Sequence, residues 1–537
     1  MKSRGLRYAV KTLIPCFAFA GTAGIITGAL IFFFKICSAF IIEISKQAYG
    51  FVQDNPIYLP LLLAALAVIA VIASLLLKWE PSCKGGGIPT STAILRGLIT
   101  FNWLKNVIIL FASAMLTYLG GVPLGIEGPS VQIGTAAGRG TVRIFGKKNR
   151  AWDRYIMTGG ACAGFAAATG APISGILFSL EEAHRRFSPM IFMTSASAVI
   201  TGSITAKKLC EQFGVNYNMF NLPASTSLPM RFLWSALIVG AICALVATVF
   251  TMLYRKTFRI VSAKLAKIPL PLKFVVIFVI IGVLGFASEH FLGSGHDIID
   301  LLLEGHGVWY MILLYLCVRA IMIIVSNNAG VTGGLFVPSL AFGAMIGAIC
   351  GKAMVSLNIL PKEHFAIIVI IGMTSFISAS SRTPLTAIVF AVEALSCYEN
   401  ILPIATSVVF AYVIIESLGV PAFSEVVIES RVETMNHGKS AMMIKTSLTV
   451  QKNAFIVGKE IRDILWPPTC VVTSVEKAPG ATGSFSAAGD ILHIHYMTYD
   501  NAETMSLLEA IIGDQPSEDG ENAEYRQKKN NDLIPEL

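Results

Sequence analysis

Three short segments of this sequence set glycine and proline directly ahead of an apolar run. They are Gly85-Gly86-Gly87-Ile88-Pro89, Gly125-Ile126-Glu127-Gly128-Pro129 and Gly333-Gly334-Leu335-Phe336-Val337-Pro338. Proline suits the first turn of a helix, where its missing N–H is no loss. Glycine strips away side chains, so the unpaired N–H groups of that first turn can face a ligand. A helix N-terminus carries about half a positive charge. Three such ends brought together make a site for an anion without a cationic side chain. A lysine there would hold an anion tightly and release it slowly, whereas conduction needs weak, multi-site binding. The chemistry on offer is the passage of a small anion.

Glu127 stands inside the second of these segments, between apolar runs. A charge in mid-membrane costs about 2.5–3.5 kcal/mol on insertion scales. It is tolerated where the carboxylate occupies the anion site and accepts from the same backbone amides. Protonation would remove that attraction and free the place for an anion, making one residue both gate and proton acceptor. The bland alternative is a glutamate capping its own helix at an interfacial position.

Glu181 and Glu182 close a short apolar helix and precede His184-Arg185-Arg186. A salt-bridged helix end accounts for one of them. Neighbours on a helix point about 100° apart, so the two cannot face one pathway. An internal repeat, described next, pairs Glu181 with Glu393 and Glu182 with Ala394. The shared glutamate is expected to be structural. The unshared Glu182 is free to carry protons toward Glu127 by a route separate from the anion.

These residues must be positioned inside a membrane. The chain has 537 residues, of which 54% are hydrophobic and 14% charged, and its mean hydropathy is +0.68. Soluble domains carry about 25% charged residues, so most of this chain faces lipid or other membrane helices. The net charge of +8 sits in clusters between apolar runs, which speaks against a nucleic-acid partner. The ten cysteines are scattered, without a CxxC or a Cys/His cluster, so buried free thiols are expected and no metal site or disulfide framework. Lys2, Arg4, Arg7 and Lys11 precede an apolar run from Thr12 to Phe34, read as a first membrane helix with its N-terminus in the cytoplasm. Leu59–Leu77, Phe232–Tyr254 and Phe274–Ala287 with its flanks are long enough to span. Gly87–Leu98, Gly128–Phe145, Pro172–Glu182, Phe336–Gly351 and Pro384–Glu393 are shorter and begin at breaks. Broken helices survive in a bilayer only inside protein or beside an aqueous cavity.

A shift of 209 residues lays Gly121, Val122, Gly125, Pro129, Ser130, Gly134 and Gly138 on Gly330, Val331, Gly334, Pro338, Ser339, Gly343 and Gly347. A shift of 212 lays Gly160, Pro172, Ile176, Phe178 and Glu181 on Gly372, Pro384, Ile388, Phe390 and Glu393. This argues for a duplicated half, over about residues 50–220 and 228–431. Breaks at matching places in two halves point to a substrate site between them. After Arg431 the composition turns polar. Ser447–Val450, Cys470–Val475 and Ile491–Tyr496 read as strands, and Gly458–Leu465 and Ala502–Ile512 as helices. They form a small cytoplasmic α+β domain over residues 440–513, followed by a polar, disordered tail over 514–537.

The breaks, in this order and followed by a Glu-Glu helix end, resemble the CLC family of chloride channels and chloride/proton antiporters. GIEGP is similar to the family's GxEGP, GGLFVP to its GxFxP and GGGIP to its GSGIP. The resemblance covers about residues 10–431. It implies an all-α polytopic membrane protein, an inverted-repeat helix bundle with broken helices. It implies a homodimer with one anion pathway per subunit. Glu127 then takes the external gating position and Glu182 the internal proton position. Anion contacts fall at Gly86, Gly87, Ile88, Ile126, Glu127, Leu335, Phe336 and Phe423. Two of these depart from the family: Gly86 replaces its usual serine, and Phe423 its usual pathway tyrosine. Both changes remove side-chain donors, and they put strict chloride selectivity in doubt. The pattern of the fluoride-exporting branch is not shared.

The C-terminal segment resembles the TrkA-C (RCK_C) half of potassium-regulating modules, through Val457-Gly458-Lys459 opening a helix and Gly489-Asp490 ahead of a strand. That resemblance implies cyclic di-AMP as a regulator at a dimer interface; a purely structural dimerisation module is the alternative. The expectation is a bacterial inner-membrane antiporter of chloride, or a similar small anion, and protons. Both termini are expected in the cytoplasm, with no cofactor beyond the regulator and no enzymatic activity. A passive voltage- or proton-gated chloride channel is the alternative. A cation transporter would need carbonyl-lined or acidic sites. A hydrolase reading of Gly293-Ser294-Gly295-His296 lacks a nucleophile elbow or triad.

Overall fold

The computed structural model describes residues 14–145, 150–220, 226–264, 267–436, 442–467, 469–479, 484–499 and 501–515. The basic residues Lys2 to Lys11, Lys147 and Lys148, and the tail from 516 onward lie outside the described residues. The chain forms two compact units. One comprises residues 1–145 and 153–435, the other 146–152 and 436–537.

The first unit is helical throughout. Its helices are α1 (Ile14–Asp54), α2 (Leu59–Trp79), α3 (Ile88–Leu95), α4 (Trp103–Leu119), α5 (Glu127–Phe145), α6 (Asp153–Thr169), α7 (Pro172–Phe178) and α8 (Pro189–Gln212). They continue with α9 (Leu233–Lys264), α10 (Leu270–Ala287), α11 (His296–Leu303), α12 (Trp309–Ala329), α13 (Phe336–Ser356), α14 (Phe365–Ser381), α15 (Pro384–Glu393), α16 (Ile401–Ser417) and α17 (Phe423–Met435). Among the described residues, nine helices are long and apolar enough to cross a membrane. The chain is therefore a multi-pass membrane protein. The segment around α14 is 89% buried within the protein and that around α2 only 22%, so α14 is a core helix and α2 a lipid-facing one. The first helix runs twenty residues past the expected Phe34. Lys35 does not end it, because its ammonium donates to the carbonyls of Asn216 at 2.9 Å and Tyr217 at 2.8 Å.

The two halves are built alike. In the first, α5 crosses α6 where Gly134 meets Gly160; in the second, α13 crosses α14 where Gly343 meets Gly372. A Cβ on any of the four would run into the facing carbonyl oxygen. Such contacts let backbones approach closely, the usual route to helix association where lipid competes for apolar surface. Reciprocal caps tie the halves together. The Glu181 carboxylate accepts from the N–H groups of Leu385 and Thr386 and from the Thr386 hydroxyl, at 2.9, 2.7 and 2.6 Å. The Glu393 carboxylate accepts from the N–H groups of Ile173 and Ser174 and from the Ser174 hydroxyl, at 2.7, 2.8 and 2.8 Å. Each glutamate satisfies the N-terminus of the other half's short helix, so Glu181 is structural.

Arg382 pairs with Glu416 at 2.9 Å and caps carbonyls of Ile415 and Val420. Of the Gly293–His296 segment, Gly293–Gly295 form a loop and His296 begins α11. The buried Arg319 holds the loop's start through the carbonyls of His290, Leu292 and Gly293. Most cysteines are buried, but Cys317 is exposed and Cys37 and Cys470 are half-buried.

The second unit is a three-stranded antiparallel sheet of order β1-β3-β2, with β1 Met442–Thr449, β2 Val471–Glu476 and β3 Ile491–Thr498. Helix α18 (Asn501–Ile512) covers one face, where Leu448, Leu492, Ile494 and Tyr496 pack with Leu508, Ile511 and Ile512. Trp152, from the link between α5 and α6, belongs to this unit and meets the Phe455 ring edge-on at 5.2 Å. The expected helix over Gly458–Leu465 is not there. Gly458 has φ +79°, its N–H donates to Ser486, and Ser486 N–H donates back to Lys459. Glu460 then bridges to Phe485. This pairing holds the stretch extended, and only a 3-10 turn at Ile461–Asp463 remains.

Candidate functional site

The three breaks meet at one point. Gly125 N–H donates to the Gly334 carbonyl at 2.8 Å and Gly334 N–H returns to the Gly125 carbonyl at 2.7 Å. The first break joins the third: Gly85 N–H donates to Gly330 at 2.8 Å, and Gly333 N–H to Gly86 at 3.2 Å. Gly128 lies between the other two breaks. A Cβ there would stand 2.5 Å from the Gly334 Cα and 2.8 Å from the Gly87 Cα. No residue but glycine fits, which is why three chain segments far apart in sequence can share one place.

Each break starts its helix in the same way. Ser91, Ser130 and Ser339 donate their N–H groups to the carbonyls of Gly87, Ile126 and Leu335. Those three are therefore the N-cap residues of α3, α5 and α13. Helix N-caps favour serine, threonine, aspartate or asparagine, whose side chains satisfy first-turn amides. Glycine, isoleucine and leucine cannot do so, and neither α3 nor α13 has a side-chain cap. The amides around Ile88, Leu335 and Phe336 thus stand at helix ends without a side-chain cap, beside those of Ile126 and Glu127, with the positive ends of helices converging.

Glu127 is fully buried at this junction. Its carboxylate lies over Gly125, where a Cβ would collide with it. Neither oxygen hydrogen-bonds a neighbouring group among the described residues. A buried carboxylate left without partners is costly, and it is the kind of group that changes protonation or position as its surroundings change. Its full burial differs from the interfacial position of the alternative reading.

At the first break, a serine at position 86 would have to displace the Leu110 and Gln132 side chains. A Cβ on Gly86 would lie 2.6 Å from the Leu110 side chain and 2.9 Å from Gln132 Oε1. The Gln132 carboxamide fills that place, accepting from Gly87 N–H at 3.1 Å and donating to the Ser82 carbonyl at 3.0 Å. The Gly87 amide is therefore directed to Gln132. Phe336 is wedged edge-on between the rings of Phe165 and Phe390, both at 5.1 Å. Phe423 opens α17 and packs on Phe250 at 5.1 Å and Tyr254 at 5.0 Å.

Glu182 is buried in a single π turn, Ser179–Ala183, closed by His184 N–H donating to Ser179. Such turns are rare and are frequently found at functional positions. The extra residue rotates Glu182 inward while Glu181 keeps its cap. Arg96 from the end of α3 donates to the Glu182 carbonyl at 3.0 Å and pairs with Glu425 of α17 at 2.8 Å. The charges around Glu182 are Arg185, Arg96, Glu425 and Glu181. Sequence reasoning did not find Arg96, Glu425 or Gln132. Arg96 and Gln132 sit in apolar segments, where a lone polar residue is the available signal. Among the described residues no group of three or more His, Cys, Asp or Glu could hold a metal ion.

A family model described as Voltage gated chloride channel matches residues 68–416. The H(+)/Cl(-) exchange transporter ClcA of Salmonella arizonae is 29% identical over 417 residues, 76% of this chain and 87% of that protein. The structure of a slow cyanobacterial Cl-/H+ antiporter superposes with TM-score 0.71 at 23% identity, covering 79% of this chain and 99% of that one. A CLC-type fluoride/proton antiporter does so with TM-score 0.62 at 20% identity, covering 75% and 96%. At these identities the two structures speak for the fold.

Proposed function

The chain belongs to the voltage-gated chloride channel family, and from that premise we propose that it exchanges chloride for protons across the membrane. The observation that carries this reading is the buried Glu127 carboxylate, without a neighbouring hydrogen-bond partner among the described residues, at the meeting point of the three glycine breaks. An anion and the ionised carboxylate compete for the same positive helix termini. Protonation neutralises Glu127, so the anion takes the place; loss of the proton returns the carboxylate to it. Glu182, in its π turn on the far side of α3, supplies protons by a path the anion does not share. Amides near Ile126, Glu127, Leu335 and Phe336 are the anion's ligands. With Gly86 and Phe423 offering no hydroxyl, coordination there falls to backbone and water.

The exchange is tested in liposomes holding the purified protein. A chloride gradient is imposed and both chloride and proton movement are recorded. Uphill proton movement driven by chloride supports the reading. Chloride movement without any proton movement makes the protein a passive channel and overturns it.

The homodimer, and placement in a bacterial inner membrane with cytoplasmic termini, are part of the same proposal. Ile173 of α7 and Leu385 of α15 are more than half exposed beside the half-buried carboxylates of Glu181 and Glu393. A second copy over that face would shield both carboxylates from lipid. The second unit is proposed as a regulatory module. The Gly489-Asp490 turn ahead of β3 supports the likeness to the TrkA-C type; the missing helix at Gly458 counts against it. Cyclic di-AMP added to the same liposomes tests it, and unchanged flux together with no binding would remove that regulator.

A further inference from the structure

Arg431, near the end of α17, is 7% exposed. Its Nη2 donates to the Asn327 backbone carbonyl and to Asn327 Oδ1, both at 2.7 Å. Its Nε is buried and has no acceptor. Among the described residues no carboxylate lies within ion-pair distance of it. A buried cation without a counter-charge is strongly unfavourable. The carbonyl end of α12, where Asn327 sits, offers only about half a negative charge. A charged neighbour, Lys84, has the same sign.

The guanidinium packs against the first glycine break. A Cβ on Gly85 would collide with Nη2 and stand 2.9 Å from Nη1. Gly85 also has φ +58°, a left-handed conformation that favours glycine. The cation is thus next to the uncapped N-terminus of α3. Behind it, the Tyr254 phenol donates to Asn327 Oδ1 at 2.7 Å, so the Asn327 carboxamide accepts from both Tyr254 and Arg431 and fixes the guanidinium in place. Tyr254 in turn packs on Phe423. The segment that lacks a serine hydroxyl at Gly86 and a tyrosine hydroxyl at Phe423 therefore has a full positive charge beside it.

We propose that Arg431 is a ligand for the transported small anion at the Gly85–Gly87 end of its path, its charge replacing the side-chain donors that Gly86 and Phe423 do not provide. The proposal rests on the anion-exchange reading. The purified full-length chain is compared with Arg431→Met, which keeps the bulk and removes the charge, and with Arg431→Lys. Two quantities are read: the chloride concentration giving half-maximal flux in liposomes, and the upward shift in melting temperature that chloride produces in detergent.

Arg431→Met is expected to raise the half-maximal concentration about tenfold or more, the scale of one charge-assisted hydrogen bond, and to abolish the chloride-dependent shift. Its proton-to-chloride ratio should stay as in the wild type. A wild-type half-maximal concentration and an intact shift in this variant would overturn the proposal. A merely structural Arg431 would lower the melting temperature without chloride and leave the shift unchanged. Should the Met variant fail to fold, Arg431→Lys, with the charge but a shorter reach, decides: a rise of about threefold supports the proposal and no change sinks it. Absent flux in the wild type would count against anion exchange itself, while the chloride-dependent shift would still report on Arg431.

Discussion

The two halves of the membrane unit share a scaffold and differ in their chemistry. Gly134 on Gly160 and Gly343 on Gly372 are the same crossing made twice, and Glu181 and Glu393 make the same cap in opposite directions. At the breaks, Gly125 and Gly334 pair with each other. Two residues beyond each, the first half has Glu127 and the second Phe336; one residue beyond each cap stand Glu182 and Ala394. Both glutamates assigned to protons lie in the first half, and their counterparts cannot titrate. What the duplication preserved is the packing that brings uncapped helix ends together. What it did not preserve is the part that distinguishes a proton path from an anion path.

The largest consequence concerns Glu127. Replacing it with Gln is expected to abolish proton movement in liposomes while chloride still crosses, whereas Phe336→Leu at the matching place leaves proton coupling intact. Equal effects at the two positions would remove the distinction between the halves. Glu182→Gln is expected next, cutting chloride-driven proton flux at least about tenfold with little change in melting temperature.

The structural pair should behave in the opposite way. Glu181→Ala and Glu393→Ala each lose a helix cap, costing about 1–2 kcal/mol of stability in detergent unfolding. The proton-to-chloride ratio should be unchanged in both. A large difference between these two variants would show that the caps are not equivalent. Gly134→Ala and Gly343→Ala should each cost about 1–3 kcal/mol, the scale of overpacking a filled contact, and by similar amounts.

The smallest effect lies in the second unit, which has no counterpart in the repeat. Asp490 is fully buried there. Burial works against its ionised form, but the N–H groups of Ala487 and Ala478 and the Lys477 ammonium outweigh this. They hold its carboxyl below the ordinary value of 3.8. A depressed carboxyl adds stability that is present in full above that ordinary value and is lost as pH falls through the lower, folded one. Pepsin cleavage of this unit in the full-length protein should therefore stay slow at pH 5 and rise only below about pH 3.8. Asp490→Asn should remove that dependence.

Much of this was legible in the sequence because glycine and proline mark breaks wherever the chain leaves regular structure. Glu127 and Glu182 could be singled out as candidates from spacing, and the repeat from matching glycines and prolines. Arg431 could not, since its meaning depends on Gly85 and Asn327, each at least a hundred positions away. Gln132 was missed for the same reason: its carboxamide matters only because Gly86 leaves room for it. The stretch at Gly458–Leu465 has helical composition, but pairing with Phe485 and Ser486 overrides local preference. Lys35 looked like the end of a span, yet two distant carbonyls accept its ammonium within the helix.

Bromide, which scatters anomalously and substitutes for chloride, can be located in crystals of the Glu127→Gln protein. An anomalous peak is expected beside the junction of Gly87, Gly128 and Gly334, where the Glu127 carboxylate lies over Gly125, within hydrogen-bond reach of the amides around Ile126 and Leu335. Bromide found elsewhere, with that junction empty, would contradict the claim that converging helix ends draw the anion into the bilayer.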